Sequence, residues 1–282
     1  MPPSTVDSAR PHTAAGSQIA ALERLNGSVA APAPRVSVVI PTLNEARNLP
    51  YVFERLPEGL FEVVLVDGDS TDGTVEVARA LWPDIRVVQQ TRKGKGNALA
   101  CGFAACRGDI IVMIDADGST DPREIPAFVD ALLAGADYAK GSRFIAGGGS
   151  TDITRVRRAG NFGLNLLTNA LNGTRFSDLC YGYNAFWRHC MTALELEPGF
   201  QGAMQWGDGF EIETIINVRV ARAGLRMTEV PSFERPRLHG ESNLNAVRDG
   251  LRVLRTIARE RLRRMKTTST QPVVADLALH TA

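Results

Sequence analysis

Three short runs, RVSVVIP at 35–41, FEVVLVD at 61–67 and DIIVMID at 109–115, are apolar at consecutive rather than alternate positions, and each stops at a polar cluster. Consecutive β-branched and other apolar residues of this length read as strands covered on both faces, the habit of parallel sheets flanked by helices. Helical segments separate them. NEARNLPYVFERL carries helical spacing after Asn44, which reads as its N-cap, and STDGTVEVARALW reads as a second capped helix. IRVVQQ adds a strand and GKGNALACGFAAC a small-residue helix. The alternation predicts an α/β domain with a doubly wound, mostly parallel sheet and flanking helices, whose ligand crevice lies beyond the carboxyl ends of the strands. The polar clusters at Pro41–Glu45, Asp67–Asp72 and Asp115–Asp117 stand at those ends.

The stretch IVMIDADGSTDP drives a buried strand into two carboxylates, Asp115 and Asp117. A turn explains one Asp. Two carboxylates at i and i+2 on an extended end point the same way and repel unless a positive charge lies between them. Oxygen-only ligands suit a hard divalent cation, and Mg²⁺ in particular is held by one or two carboxylates plus substrate phosphates. Both the turn and the metal–phosphate readings stand at this point.

Composition narrows the partners. The chain has 32 Lys and Arg against 31 Asp and Glu, a formal net charge of +1, so no global field draws nucleic acid. Cys101, Cys106, Cys180 and Cys190 lack the paired short spacings of a zinc site and read as buried reduced thiols, which points to a cytoplasmic address. Residues 1–34, rich in Pro, Ala and Ser, read as a flexible tail with a short helix near IAALERL, and 267–282 as a second tail. No apolar run approaches the roughly 18 residues that span a bilayer. A single main domain at 35–245 and a basic helix at 246–266 complete the expected organisation.

Two nucleotide folds are excluded by motif. No G-x-G-x-x-G follows a strand, and no G-x-x-x-x-G-K-[ST] is present. The glycines and lysines of RKGKGN nevertheless suit a phosphate at a helix N-terminus. Lys95 is the stronger candidate, since Gly94 and Gly96 allow a ligand to approach closely, whereas Lys93 also fits a solvated basic turn.

VVIPTLNE, LVDGDSTDGT, KGKGNALACGFAACRGD, IDADGSTDP and GSRF occur in the order found in family 2 glycosyltransferases of the GT-A fold. Over residues 35–245 the chain most resembles the polyprenyl-phosphate mannose and glucose synthase branch. The resemblance implies an inverting hexose transfer from a nucleotide-sugar donor, GDP-mannose or UDP-glucose. It implies that Pro41, Thr42, Asn44 and Glu45 hold the base and ribose. Asp115 and Asp117, with Ala116 between them, would sit on the donor and bind Mg²⁺ or Mn²⁺ at its pyrophosphate. The family usually has Asp-Asp-Gly-Ser where this chain has Asp67-Gly68-Asp69-Ser70, so either Asp67 or Asp69 contacts the base. Independently of the resemblance, a cation bridging two phosphates stabilises a departing nucleoside diphosphate. Arg143 and Arg237 are candidates for charge-assisted bonds to phosphate.

The acceptor is open between two chemistries. An alcohol needs a carboxylate base, for which Asp208 or Glu211 in GDGFEIETIINVRVARAG is the candidate. A polyprenyl phosphate is already an anion and needs basic residues instead, Arg143 with Arg155 or Arg237. NFGLNLLTNALNG at 161–173 reads as an apolar helix. NAVRDGLRVLRTIARERLRRMK places Val247, Leu251, Leu254, Ile257 or Ala258, Leu262 and Met265 on one stripe among arginines. That stripe serves an anionic membrane surface, its own domain, or the partner of a homodimer. Rival readings are a non-catalytic nucleotide-sugar binding partner of a membrane protein and a nucleotidyltransferase.

Overall fold

The computed structural model describes residues 33–241 and 246–263. Apart from residues 33 and 34, both expected tails and the IAALERL segment lie outside the described residues. A seven-stranded sheet organises the chain, with strand order β3-β2-β1-β4-β7-β5-β8. Strands β1 (Val36–Thr42), β2 (Glu62–Asp67), β3 (Arg86–Gln89) and β4 (Ile110–Met113) are mutually parallel. Strand β7 (Asn184–Trp187) runs antiparallel between β4 and β5 (Tyr138–Ser142), and β8 (Met227–Pro231) pairs parallel with β5. A small ribbon joins β6 (Gly149–Ser150) to β9 (Phe233–Glu234).

Every residue of β2 and β4 is buried, which is why these strands read as unbroken apolar runs. One layer packs Val38, Ile40, Val63, Leu65, Ile110 and Val112 against the helices α1 (Leu49–Glu54), α2 (Thr74–Leu81) and α4 (Ile125–Leu133). The opposite layer packs Val39, Val64, Val66, Ile111 and Met113 against α3 (Lys95–Ala105) and α7 (Ile212–Arg222), with the short α6 (Met191–Leu194) at its edge. Alternate residues of one strand thus serve both cores.

Three local expectations are corrected. The helix of the 44–56 segment starts at Leu49, and its N-cap is Asn48 rather than Asn44. Asn44 has a left-handed φ of 58°, and its carboxamide oxygen accepts from the Thr71 backbone N–H at 2.8 Å. The helix expected at 161–173 is longer, α5 (Arg155–Asn172), capped by Thr154 at its start and ended by left-handed Gly173. The C-terminal helix is α8 (Ala246–Leu262), and only part of its expected apolar stripe, Ile257, lies on the face it buries. Leu251, Leu254 and Leu262 are exposed, whereas Asp249, Val253, Thr256, Ile257 and Glu260 are buried. The Val247 side chain and Met265 lie outside what is described. The buried Arg219–Glu260 ion pair at 2.9 Å anchors α8 to α7 and fixes which face turns inward.

Candidate functional site

The loop after β4 carries Asp115 and Asp117 into a cavity of about 330 Å³. Its other walls come from the start of α3 (Lys95), residues 152–164, residues 180–182, the start of α7 (Phe210, Glu213), residues 234–237, and α8 (Asp249, Val253). Four cationic side chains, Lys95, Arg143, Arg157 and Arg237, line it against six anionic ones, Asp115, Asp117, Asp152, Glu213, Glu234 and Asp249. The formal charge is therefore −2. A pyrophosphate would be repelled from such a cavity, and a divalent cation attracted to it.

Lys95 stands at the centre of the charge pattern. Its Nζ lies 2.6 Å from Asp115 Oδ1 and 2.8 Å from Glu213 Oε1. Burial works against the ammonium, but Asp115 and Glu213 outweigh it and raise the lysine's pKa. Glu213 is pushed up by burial in turn, with Lys95 opposing. From GDGFEIETIINVRVARAG the sequence singles out Asp208 and Glu211, not Glu213. Its pairing with Lys95, 118 positions away, leaves no local signal.

Gly94 and Gly96 do permit a close approach, but to protein rather than to ligand. A Cβ at Gly94 would overlap the Asp208 carbonyl oxygen and one at Gly96 the Gly207 carbonyl oxygen, and the Gly96 N–H donates to Asp208 O at 2.7 Å. Lys93 is exposed.

Around the ends of β1 and β2 the second polar cluster is laced together. Thr42, in register with Asp67, is buried and donates to Val66 O at 3.1 Å, beside the half-buried Pro41. The backbone N–H groups of Asn44, Glu45 and Ala46 donate to Ser70 Oγ, Thr74 Oγ1 and Asp72 Oδ2 at 2.9–3.0 Å. Asp67 accepts from the Ser70 N–H at 3.2 Å through Oδ2, and its buried Oδ1 has no hydrogen-bond partner among the described residues. Asp69 occupies a left-handed turn, φ 66°, and its side chain accepts from Gln89 Nε2 at 2.6 Å. Of the two acids, Asp67 is thus the one with a buried acceptor left without a partner among the described residues.

Arg237 connects the two clusters. It forms a bidentate pair with Glu45 and lies 3.8 Å from Asp117 Oδ2. Its segment is stitched to the carboxylate loop by Leu238 N–H to Asp117 O at 3.1 Å and by Arg235 N–H to Ser119 O at 2.8 Å. Burial lifts the Glu45 carboxyl to about 7, against the pull of Asn48 and Arg237. Ala116 is buried between the paired acids.

Three candidates are committed elsewhere. Arg143 lines the cavity but is bound bidentately by Asp178 at 2.7 and 2.8 Å and by Glu234 at 2.9 Å, so two carboxylates already neutralise it. Asp208 does not line this cavity; it holds Arg92 through two 2.8 Å bonds. Glu211 does not line it either: it is buried, accepts from the Gly207 N–H at 2.9 Å and faces Arg252 at 3.6 Å. All four cysteines are free, and Cys180, expected to be buried, is exposed at the cavity wall.

The donor set fits a hard cation in one particular way. Among the described residues no group of three or more His, Cys, Asp or Glu is placed to hold a metal. Asp115 and Asp117 supply two oxygen-bearing side chains, and a cation held there must complete its shell with water and ligand oxygens, the pattern of Mg²⁺ on substrate phosphates.

The family model described as glycosyl transferase family 2 matches residues 37–193. Glycosyltransferase AglJ of Haloferax volcanii is 34% identical over 218 residues, covering 76% of this chain and 68% of the relative. Undecaprenyl-phosphate mannosyltransferase of Micrococcus luteus is 33% identical over 220 residues, covering 75% and 88%. The crystal structure of glucosyl-3-phosphoglycerate synthase from Mycobacterium tuberculosis, in complex with Mn²⁺, UDP and glucosyl-3-phosphoglycerate, superposes with a TM-score of 0.60 at 25% identity, covering 90% of this chain and 86% of that one.

Proposed function

The chain is a glycosyltransferase of family 2 with the GT-A fold, and from that premise we propose that it moves a hexose, with inversion, from GDP-mannose or UDP-glucose to a polyprenyl phosphate at the cytoplasmic membrane face. The observation that carries the reading is the Asp115–Asp117 pair in a cavity of formal charge −2. Asp115 and Asp117 would hold Mg²⁺ or Mn²⁺ there. When bound, the cation supplies charge neutralisation for the departing nucleoside diphosphate. The Mn²⁺ and UDP bound to the mycobacterial synthase support this assignment.

The residues of this chain have the remaining roles. Asp67, with its Oδ1 unpartnered among the described residues, accepts from the base edge, while Thr42, Asn44 and the adjoining Pro41 shape the nucleotide seat. Lys95 sets a cation beside Asp115, and Glu213 fixes the ammonium in place. Arg237 ties the nucleotide loop to the cation site through Glu45 and Asp117.

A phosphate acceptor is favoured because the expected bases are occupied. Asp208 is paired with Arg92 and Glu211 is buried away from the cavity, so neither is positioned to take a proton from an alcohol. A phosphate oxygen requires no such base. Of the cavity cations, Arg157 is the one presented by residues 152–164; it is held by Asp152 at 2.7 Å and reaches Glu234 at 3.9 Å. The name of the Micrococcus relative supports the same acceptor class. A hydroxyl acceptor is the second reading, supported by the glucosyl-3-phosphoglycerate bound in the mycobacterial structure.

A panel tests both. The protein is given GDP-mannose or UDP-glucose with either a polyprenyl phosphate or 3-phosphoglycerate, and products are separated by mass. A glycosylated lipid phosphate is expected. A glycosylated glycerate with no lipid product overturns the acceptor assignment, and binding without turnover overturns the transfer itself.

A further inference from the structure

Two buried ion pairs tie the segment around the start of α3 to the segment around the start of α7. Lys95 and Glu213 form the first, at 2.8 Å, and line the cavity of Asp115 and Asp117. Arg92 and Asp208 form the second, with Arg92 Nε and Nη2 each donating to a different carboxylate oxygen at 2.8 Å. Only the first pair reaches a proposed cation ligand, through Lys95 and Asp115. The second lies behind it, outside that cavity.

Asp208 serves both segments at once. Its carboxylate holds Arg92 and accepts from the Gln205 N–H at 2.6 Å, while its carbonyl accepts from the Gly96 N–H at 2.7 Å. Gly96 follows Lys95 in the chain, so this carbonyl fixes the backbone from which the ammonium is presented. Arg92 reaches a further point. Its Nη1 donates to Pro198 O at 2.6 Å, an oxygen that also accepts from Thr91 Oγ1 at 2.6 Å and Asn97 Nδ2 at 2.9 Å. One guanidinium thus fastens the 91–97 turn to both ends of the 198–208 loop.

Side-chain packing cannot fix this contact. Where the 94–96 and 207–208 segments touch, Gly94, Gly96 and Gly207 have no side chains to interlock. Behind them lies a second cavity of about 610 Å³, whose wall includes Arg92, Gly96, Gly207 and Asp208. With a cavity on that side in place of core, charge and hydrogen bonds hold the two segments in register.

The register matters on the other side of the wall. Lys95 Nζ must meet Asp115 at 2.6 Å and Glu213 at 2.8 Å together. A displacement of about 1 Å takes an ammonium out of hydrogen-bond range of one carboxylate or the other.

We propose that Arg92 and Asp208 are positioning residues for Lys95: from outside the donor cavity, their ion pair sets the start of α3 against the start of α7 so that the ammonium lies between Asp115 and Glu213. The proposal deepens the functional reading and rests on it only for what Lys95 does at the donor.

Three lysines supply the test. Lys93 is exposed, Lys95 is paired in the cavity wall, and Lys140 is buried in β5. Brief acetylation of the native full chain with acetic anhydride, read residue by residue by mass spectrometry, should label Lys93 readily and leave Lys95 and Lys140 slow. Arg92→Gln and Asp208→Asn should each raise the labelling rate of Lys95 at least about tenfold, the change expected when a charge-assisted hydrogen bond no longer holds a local contact closed. Lys140 should stay as slow as in the wild type. Calorimetry of the same variants with GDP and with UDP in Mn²⁺ should show the preferred nucleotide bound about tenfold more weakly. Unchanged labelling of Lys95 in both variants would overturn the proposal. Acceleration of Lys140 together with Lys95, or failure of both variants to fold, would overturn it too, by making the pair a support of the whole fold. Selective exposure of Lys95 with unchanged nucleotide affinity would keep the positioning role and overturn the part proposed for Lys95 at the donor.

Discussion

Lys95 Nζ lies 2.6 Å from Asp115 Oδ1, so the residue that the sequence offers to a phosphate is first of all the counter-charge of a proposed cation ligand. The same ammonium meets buried Glu213 at 2.8 Å. Removing it leaves a buried carboxylate without a partner, which costs about 3 kcal/mol. Lys95→Met should therefore lower the free energy of unfolding by roughly that amount. Adding Glu213→Gln should recover at least half of the loss. Urea unfolding of both single variants and the double variant measures the coupling; simple additivity would show that the pair does not interact.

Gly96 makes a sharper prediction. Its missing Cβ admits the 207–208 backbone, whose Asp208 carbonyl accepts the Gly96 N–H at 2.7 Å. Gly96→Ala should destabilise by more than about 3 kcal/mol, since backbone cannot yield as a side chain can. Gly160, with open space around its Cβ position, is the control. Gly160→Ala in α5 should stabilise by about 0.5–1 kcal/mol. Thermal melts of the two variants should shift in opposite directions.

Much of this is legible in the sequence alone. Runs such as VVLV and IIVM declare two-sided burial by their lack of alternation, and the polar clusters at their ends mark the crevice, because both signals are local. The fates of Arg143 and Asp208 were not legible, since each is decided by a distant partner. Asp178, Glu234 and Arg92 lie 35, 91 and 116 positions from the residues they bind. The burial of Asn161 and Asn165 in α5 was legible only as composition. Leucines and asparagines are both spread along it, and nothing in that pattern says which face meets the core until the 176–179 backbone arrives to bond the amides.

Glu45 predicts a pH dependence. Its carboxyl is raised by burial from its ordinary 4.5 to about 7 in the folded chain. The folded state then binds the proton more tightly than the unfolded state, and this group's contribution to stability is present below pH 4.5 and lost as pH rises through 7. The change amounts to about 3 kcal/mol at most. Unfolding free energies measured from pH 5 to 7.5 should fall more steeply in the wild type than in Glu45→Gln. Parallel curves would show that Glu45 titrates like an ordinary carboxylate.

The central claim is that Asp115 and Asp117 hold a divalent cation on the donor's pyrophosphate, in a cavity whose own charge of −2 otherwise repels it. Calorimetric binding of GDP and of UDP, with Mn²⁺ or with excess chelator, measures this without relying on turnover. The account predicts that the preferred nucleotide binds at least about tenfold more tightly with Mn²⁺, and that Asp117→Asn, with an unchanged melting temperature, abolishes the difference. Equal affinity in chelator, or a Mn²⁺ effect that survives Asp117→Asn, would contradict it.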